Sequence, residues 1–149
     1  MAQYLSNELA GTTTGLTQQS AVATGYRPPA SVYGGRVQRV RATINLASQT
    51  TSDTLLFGVL PAGATLAYGV LTSSVTLGTS TLAIGVSGST GKYRAAAVFT
   101  ATDTPTMFGV TSQVALAAPL AADDVVIGTI ATANLPASGT LVVDLYYSF

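Results

Sequence analysis

The sequence predicts an all-β protein, an antiparallel, jelly-roll-like β-sandwich preceded by an extended N-terminal arm. Three observations predict it. From Arg36 onward, apolar and polar residues alternate with period two in short runs. Clusters of Gly, Pro, Ser and Asp separate these runs at near-regular spacing, the pattern of a sandwich or barrel. Thr and Val, which suit a half-buried pleated surface, recur throughout.

Residues 1–35 stand apart. Glu8 and Arg27 are their only charges, apolar residues show no sustained period, and Pro28-Pro29 and Gly34-Gly35 punctuate the end. Proline holds itself and the residue before it in extended geometry. This composition predicts an arm, with one short helical turn near Leu5–Leu9, that orders only against another subunit or stays unfolded. Residues 36–149 then form the sandwich domain.

The first strand places Val40, Ala42, Ile44 and Leu46 on one face and Arg39, Arg41, Thr43 and Asn45 on the other. Thr54–Leu60 follows and stops at Pro61-Ala62-Gly63. Thr65–Leu71 and Ser74–Leu77 come next, up to Gly78-Thr79-Ser80. Thr81–Val86 runs into a glycine-rich stretch ending at Gly91, and Tyr93–Thr100 leaves it. Asp103-Thr104-Pro105 precedes Thr106–Thr111. Alanine is dense over Ser112–Leu120, which predicts a short helix. Val125–Ala131 and Thr140–Ser148 flank the turn Pro136–Gly139. Asp53–Gly58 with Leu60–Leu66 resembles Asp123–Gly128 with Leu135–Leu141. This is either a duplicated β-hairpin or a chance recurrence of Leu-Pro turns.

The chain has 149 residues, one domain's worth, and buries about 70% of its unfolded surface on folding. It contains no Cys, His or Trp. A disulfide framework, a thiolate site and the commonest metal ligand and general base are therefore excluded. Charged residues are 8%, six basic against six acidic, where an average soluble domain has about 25%. So little charge does not keep copies apart, and the composition points to a chain packed against neighbours. No apolar run approaches the roughly 18 residues of a membrane-spanning helix. The N-terminus lacks the basic start and apolar core of a secretory signal.

No enzyme site is expected. Asp123 and Asp124 are the one local acidic pair, and adjacent strand residues point to opposite faces. A solvated turn suits them better than a cation loop, whose spacing is absent. Lys92 is the only lysine, and no Ser-x-x-Lys motif accompanies it. Gly85–Lys92 imitates a phosphate loop, but five residues separate its glycines and Tyr93 replaces the hydroxyl that would hold magnesium. It reads as a hairpin loop. No cofactor and no metal are expected.

Arg36, Arg39 and Arg41, with Arg27 upstream, form the one basic cluster. Zero net charge and the lack of interleaved aromatics argue against nucleic acid. Arginine suits ion pairs between subunits. The candidate subunit or shell contacts are Arg27, Arg36, Arg39 and Arg41, with Asp123 and Asp124 among the acidic partners. The face carrying Arg39 and Arg41 has no local acidic partner, so it is expected to meet water or another chain. The last strand alternates Leu141, Val143, Leu145 and Tyr147 and ends at Phe149, as outer-membrane barrel strands do. Most strands here are shorter than the 9–11 residues, roughly, that a membrane strand needs, so no membrane is expected.

Gly25-Tyr-Arg-Pro-Pro29, Arg39-Val-Arg-Ala-Thr-Ile44, Asp53-Thr-Leu-Leu-Phe-Gly-Val-Leu-Pro-Ala-Gly-Ala64, Thr81-Leu-Ala-Ile-Gly85 and the Leu-Pro-Ala-Ser-Gly139 turn resemble small structural proteins of tailed bacteriophages. The resemblance runs over most of residues 25–149. It implies a capsid decoration (cement) protein, or a related head or tail component, in the virion and assembled in the host cytoplasm. The partner it implies is the major capsid protein or another virion protein. It also implies a homo-oligomer, with a trimer matching the local three-fold positions of an icosahedral shell. A fibre module binding a host glycan is the alternative, with Tyr26, Tyr33, Tyr93, Tyr146 and Tyr147 as the available aromatics.

Overall fold

The computed structural model describes residues 35–114 and 118–149. Apart from Gly35, the expected arm lies outside the described residues, and Arg27 with it. Eight strands follow: β1 (Val37–Asn45), β2 (Thr54–Leu60), β3 (Thr65–Ser73), β4 (Thr81–Val86), β5 (Ser89–Val98), β6 (Thr106–Phe108), β7 (Asp124–Ala131) and β8 (Thr140–Ser148). One helical turn, α1 (Thr111–Val114), lies between β6 and β7. The strands make two four-stranded sheets, A in the order β1-β8-β3-β6 and B in the order β2-β7-β4-β5. Every pairing is antiparallel.

The pairs β1–β8, β2–β7, β3–β6 and β4–β5 nest inside one another, like one long hairpin. The contacts β8–β3 and β7–β4 wrap that hairpin into two layers. This is jelly-roll winding, and it bears out the fold class that the strand pattern predicts. The inward residues of both sheets form one core, with Leu60, Leu82, Ile84, Val126, Leu141, Val143 and Leu145 fully buried. Each such side chain contributes about 2 kcal/mol. The expected alternation of β8 holds: Leu141, Val143, Leu145 and Tyr147 point inward.

Four local expectations change. Ser74–Leu77 is not a strand. The Ser73 hydroxyl donates to the Val75 carbonyl at 2.6 Å, and the chain turns there. Leu77 is apolar because it plugs the core from this loop, its amide donating to the Phe99 carbonyl at 2.9 Å. The expected helix is confined to α1 among the described residues. Pro119 cannot continue it, and Leu120 is instead pinned beside the β2–β3 turn by backbone bonds to Ala64 and Gly63 at 2.9 and 2.7 Å. The strand expected over Thr106–Thr111 ends at Phe108, whose ring lies across Gly69. A Cβ at Gly69 would meet that ring at 2.1 Å. The duplicated segments are not hairpins. β2 and β3 lie in different sheets, as do β7 and β8, and the two copies pair with each other, β2 with β7 and β3 with β8.

The glycine-rich stretch after Gly85 closes as a two-residue hairpin. Val86 pairs with Ser89, and Gly88 supplies the positive φ of 84°. Nothing there resembles a phosphate cradle.

Candidate contact surfaces

Residues paired across neighbouring strands share a sheet face, so the registers define the outer face of sheet A. One row runs Arg39, Tyr146, Tyr68. The next runs Arg41, Asp144, Val70, Met107. The Tyr68 and Tyr146 rings stack with centroids 4.6 Å apart. Met107, on the edge strand, is 67% exposed. Arg36 precedes β1 and is exposed. The face is thus a mixed basic and aromatic strip on a rigid sheet.

The expectation that Arg39 and Arg41 lack a local acidic partner is corrected for Arg41. Its Nε and NH2 donate to the two oxygens of Asp144 at 2.7 and 2.6 Å. This forked geometry matches a planar guanidinium to a carboxylate. The hydrogen bonds from Arg41 hold the Asp144 carboxyl below the usual carboxylate range; burial opposes the shift, and the Arg41 and Arg39 charges add to it. The pair joins residues 103 apart in sequence, so only the β1–β8 register reveals it. Arg39 is exposed, and no ion pair holds it among the described residues.

Asp123 and Asp124 do not sit with the arginines; Asp123 is exposed in the turn before β7, as expected, whereas Asp124 is partly buried. Asp124 opens β7 in sheet B. Its Oδ2 accepts Lys92 Nζ at 2.5 Å and also the Tyr93 hydroxyl. Asp123 Oδ1 accepts the Ala62 amide at 2.8 Å and so fixes the β2–β3 turn. Both acids are occupied within their own chain. Tyr93 is buried, which removes it as an exposed aromatic platform, and Tyr147 points inward toward Gln38 at 3.0 Å. Tyr68 was legible only as one aromatic in a strand. Its partner Tyr146 is 78 residues away and becomes a neighbour through the β3–β8 register.

Burial, with the Asp124 hydrogen bond and charge, pushes the Tyr93 phenol above its ordinary value of 10. The unfolded phenol ionises near pH 10 and the folded one does not. The stabilisation is complete below pH 10 and declines as the pH rises above it. Thermal melts from pH 9 to 11.5 should show a steeper loss of stability for the native chain than for Tyr93→Phe. Parallel profiles would refute this coupling.

The outer face of sheet B differs. Leu56 faces Ile127, Val59 faces Val125, and Thr54 and Ala83 face Thr129, with no charged side chain among them. Leu56, Val59 and Val125 are exposed at 60%, 45% and 50%. Among the described residues no group of three or more acidic, His or Cys residues is placed to hold a metal.

No family model and no curated protein matches the sequence. Solved structures do match the fold. A chain of the cyanophage Pam1 capsid asymmetric unit is 21% identical, with a TM-score of 0.58 over 91% of this chain and 97% of that one. A chain of the capsid of Ralstonia phage GP4 is 20% identical, with a TM-score of 0.56 over 76% and 83%. A chain of the acid-stable capsid of Helicobacter pylori bacteriophage KHP30 is 13% identical, with a TM-score of 0.56 over 76% and 87%.

Proposed function

We propose that this chain is a non-enzymatic structural subunit of a phage virion, a capsid decoration subunit that bridges and stabilises coat proteins. The observation that carries the reading is the shared jelly roll: chains from three phage capsids have this fold, one of them over nearly the whole length of both chains. The sparse charge and the contact-type surface on sheet A support it. The outer face of sheet A, through Arg39, Tyr68, Tyr146 and Met107, meets the shell protein, together with the exposed Arg36 that precedes β1. Arg39 supplies a cation for an acidic group on that partner.

The test mixes purified protein with undecorated capsids and measures saturable binding and the temperature of genome release. A ligand that binds only the assembled shell raises its stability by mass action. Arg39→Ser should weaken capsid binding by about tenfold, or 1.4 kcal/mol, while leaving the subunit's own melting temperature unchanged. Arg41 is the wrong residue for this test, because its removal leaves the nearly buried Asp144 without its partner. Binding to host glycans with no effect on capsids would replace this reading with a receptor-recognition module.

A further inference from the structure

Each sheet ends in two edge strands, and three of the four are protected against pairing with another chain. β6 has three residues. β2 breaks register between Leu56 and Gly58. β5 breaks register twice, and the Arg94 guanidinium donates to the carbonyls of Leu82, Ala97 and Val98 there. β1 is neither short nor bulged, and its only guards are the charges of Arg39 and Arg41 on the outer face. It runs nine residues in unbroken register with β8, and no strand pairs with its other edge among the described residues; the Gln49 side chain donates to the Asn45 carbonyl at 2.8 Å at the end of the strand. A long, regular edge is a template for another strand. Its inward residues Val40, Ala42 and Ile44 are also only partly buried, whereas those of β8 are fully enclosed.

We propose that β1 is a contact between two copies of this chain, paired antiparallel across a two-fold axis at Ala42. Charge selects the second copy's register. In such a pairing each residue faces the one equidistant from the axis. An axis at Arg41 opposes Arg41 to itself, and an axis at Val40 opposes Arg39 to Arg41. An axis at Ala42 sets Arg41 against Thr43, Arg39 against Asn45, Val40 against Ile44 and Ala42 against Ala42. No like charges meet, and the half-covered apolar residues of both copies close over one another. This register pairs Arg39 through Asn45, and moving the axis to Thr43 pairs only Arg41 through Asn45. The two A sheets become one continuous sheet.

The test uses the full chain alone, without any shell, so its outcome is independent of the proposed capsid role. The sequence has no cysteine, so each introduced thiol reports one position. Residues facing each other across an antiparallel pair lie about 4.5–5.5 Å apart at Cα, within disulfide reach. Under mild oxidation Ala42→Cys should become mostly covalent dimer, whereas Thr43→Cys, which faces Arg41, should crosslink at least tenfold less. Thr43→Lys sets a second cation against Arg41 and should reduce the dimer in sedimentation at least tenfold, with an unchanged circular dichroism spectrum and melting temperature. Equal crosslinking at positions 42 and 43, preferred crosslinking of Val40→Cys, or a Thr43→Lys chain that sediments like the native one overturns the proposal.

Discussion

Asp124→Ala is expected to lower the melting temperature by about 10 °C. The carboxylate is the common acceptor for Lys92 Nζ and the Tyr93 hydroxyl, and the Lys92 and Asp124 side chains are only 20% and 18% exposed. Its removal leaves an ammonium and a phenol in a mostly dry site without an acceptor. Breaking a largely buried pair from one side costs about 3 kcal/mol, and each kcal/mol is worth about 3 °C in a chain of this length. The loss comes from the stranded partners as well as from the lost attraction. Lys92→Met in the same chain should therefore recover part of it, a non-additivity that a double-mutant cycle measures. Thermal unfolding followed by circular dichroism is sufficient. A change below one degree would mean that Lys92 and Tyr93 reach water unaided.

Gly85→Ala should cost as much through sterics alone. Gly85 lies in β4 opposite Ile127, and its other side is crossed by the bulged start of β5. A Cβ there would meet the Ser89 and Thr90 carbonyl oxygens at 2.2 and 2.5 Å. These are backbone atoms within the hairpin, so a rotamer change cannot relieve the contact. The β4–β5 register must shift, at a cost of about 3 kcal/mol. Gly91→Ala is the control, because its Cβ would find only ordinary contact with Ala95 Cα at 3.5 Å, and it should stay within about 0.5 kcal/mol. Equal melting temperatures for the two variants would refute the packing described for this hairpin.

The elements legible in the sequence were those written in period two. Val40-Ala42-Ile44 and Leu141-Val143-Leu145-Tyr147 announce their inward faces, and Pro61-Ala62-Gly63 and Pro136–Gly139 mark corners. What alternation leaves open is which strand lies beside which. The Arg41–Asp144 pair, the Tyr68–Tyr146 stack and the Asp124–Lys92–Tyr93 cluster all join strands distant in sequence, and each depends on register. For that reason Asp124 reads only as one of a local acidic pair with Asp123, and Lys92 only as a lone lysine. Ser74–Leu77 misled in a different way. Val75 and Leu77 alternate like a strand because a loop that plugs a core also needs its apolar residues on one side. The alanine-rich stretch after Thr111 shows helix propensity limited by Pro119 and by the backbone bonds that seat Leu120 on Ala64.

The position of β8 has a consequence for the order of synthesis. It is the interior strand between β1 and β3, yet it is made after every strand it must hold apart and join. As the chain leaves the ribosome, β4 and β5 can close their hairpin at once. β1 and β3 must wait, their inward faces uncovered, until residues 140–148 arrive. A nascent chain stalled after β7 should therefore be open to protease and to chaperones at β1 and β3, and it should become resistant in one step when β8 inserts.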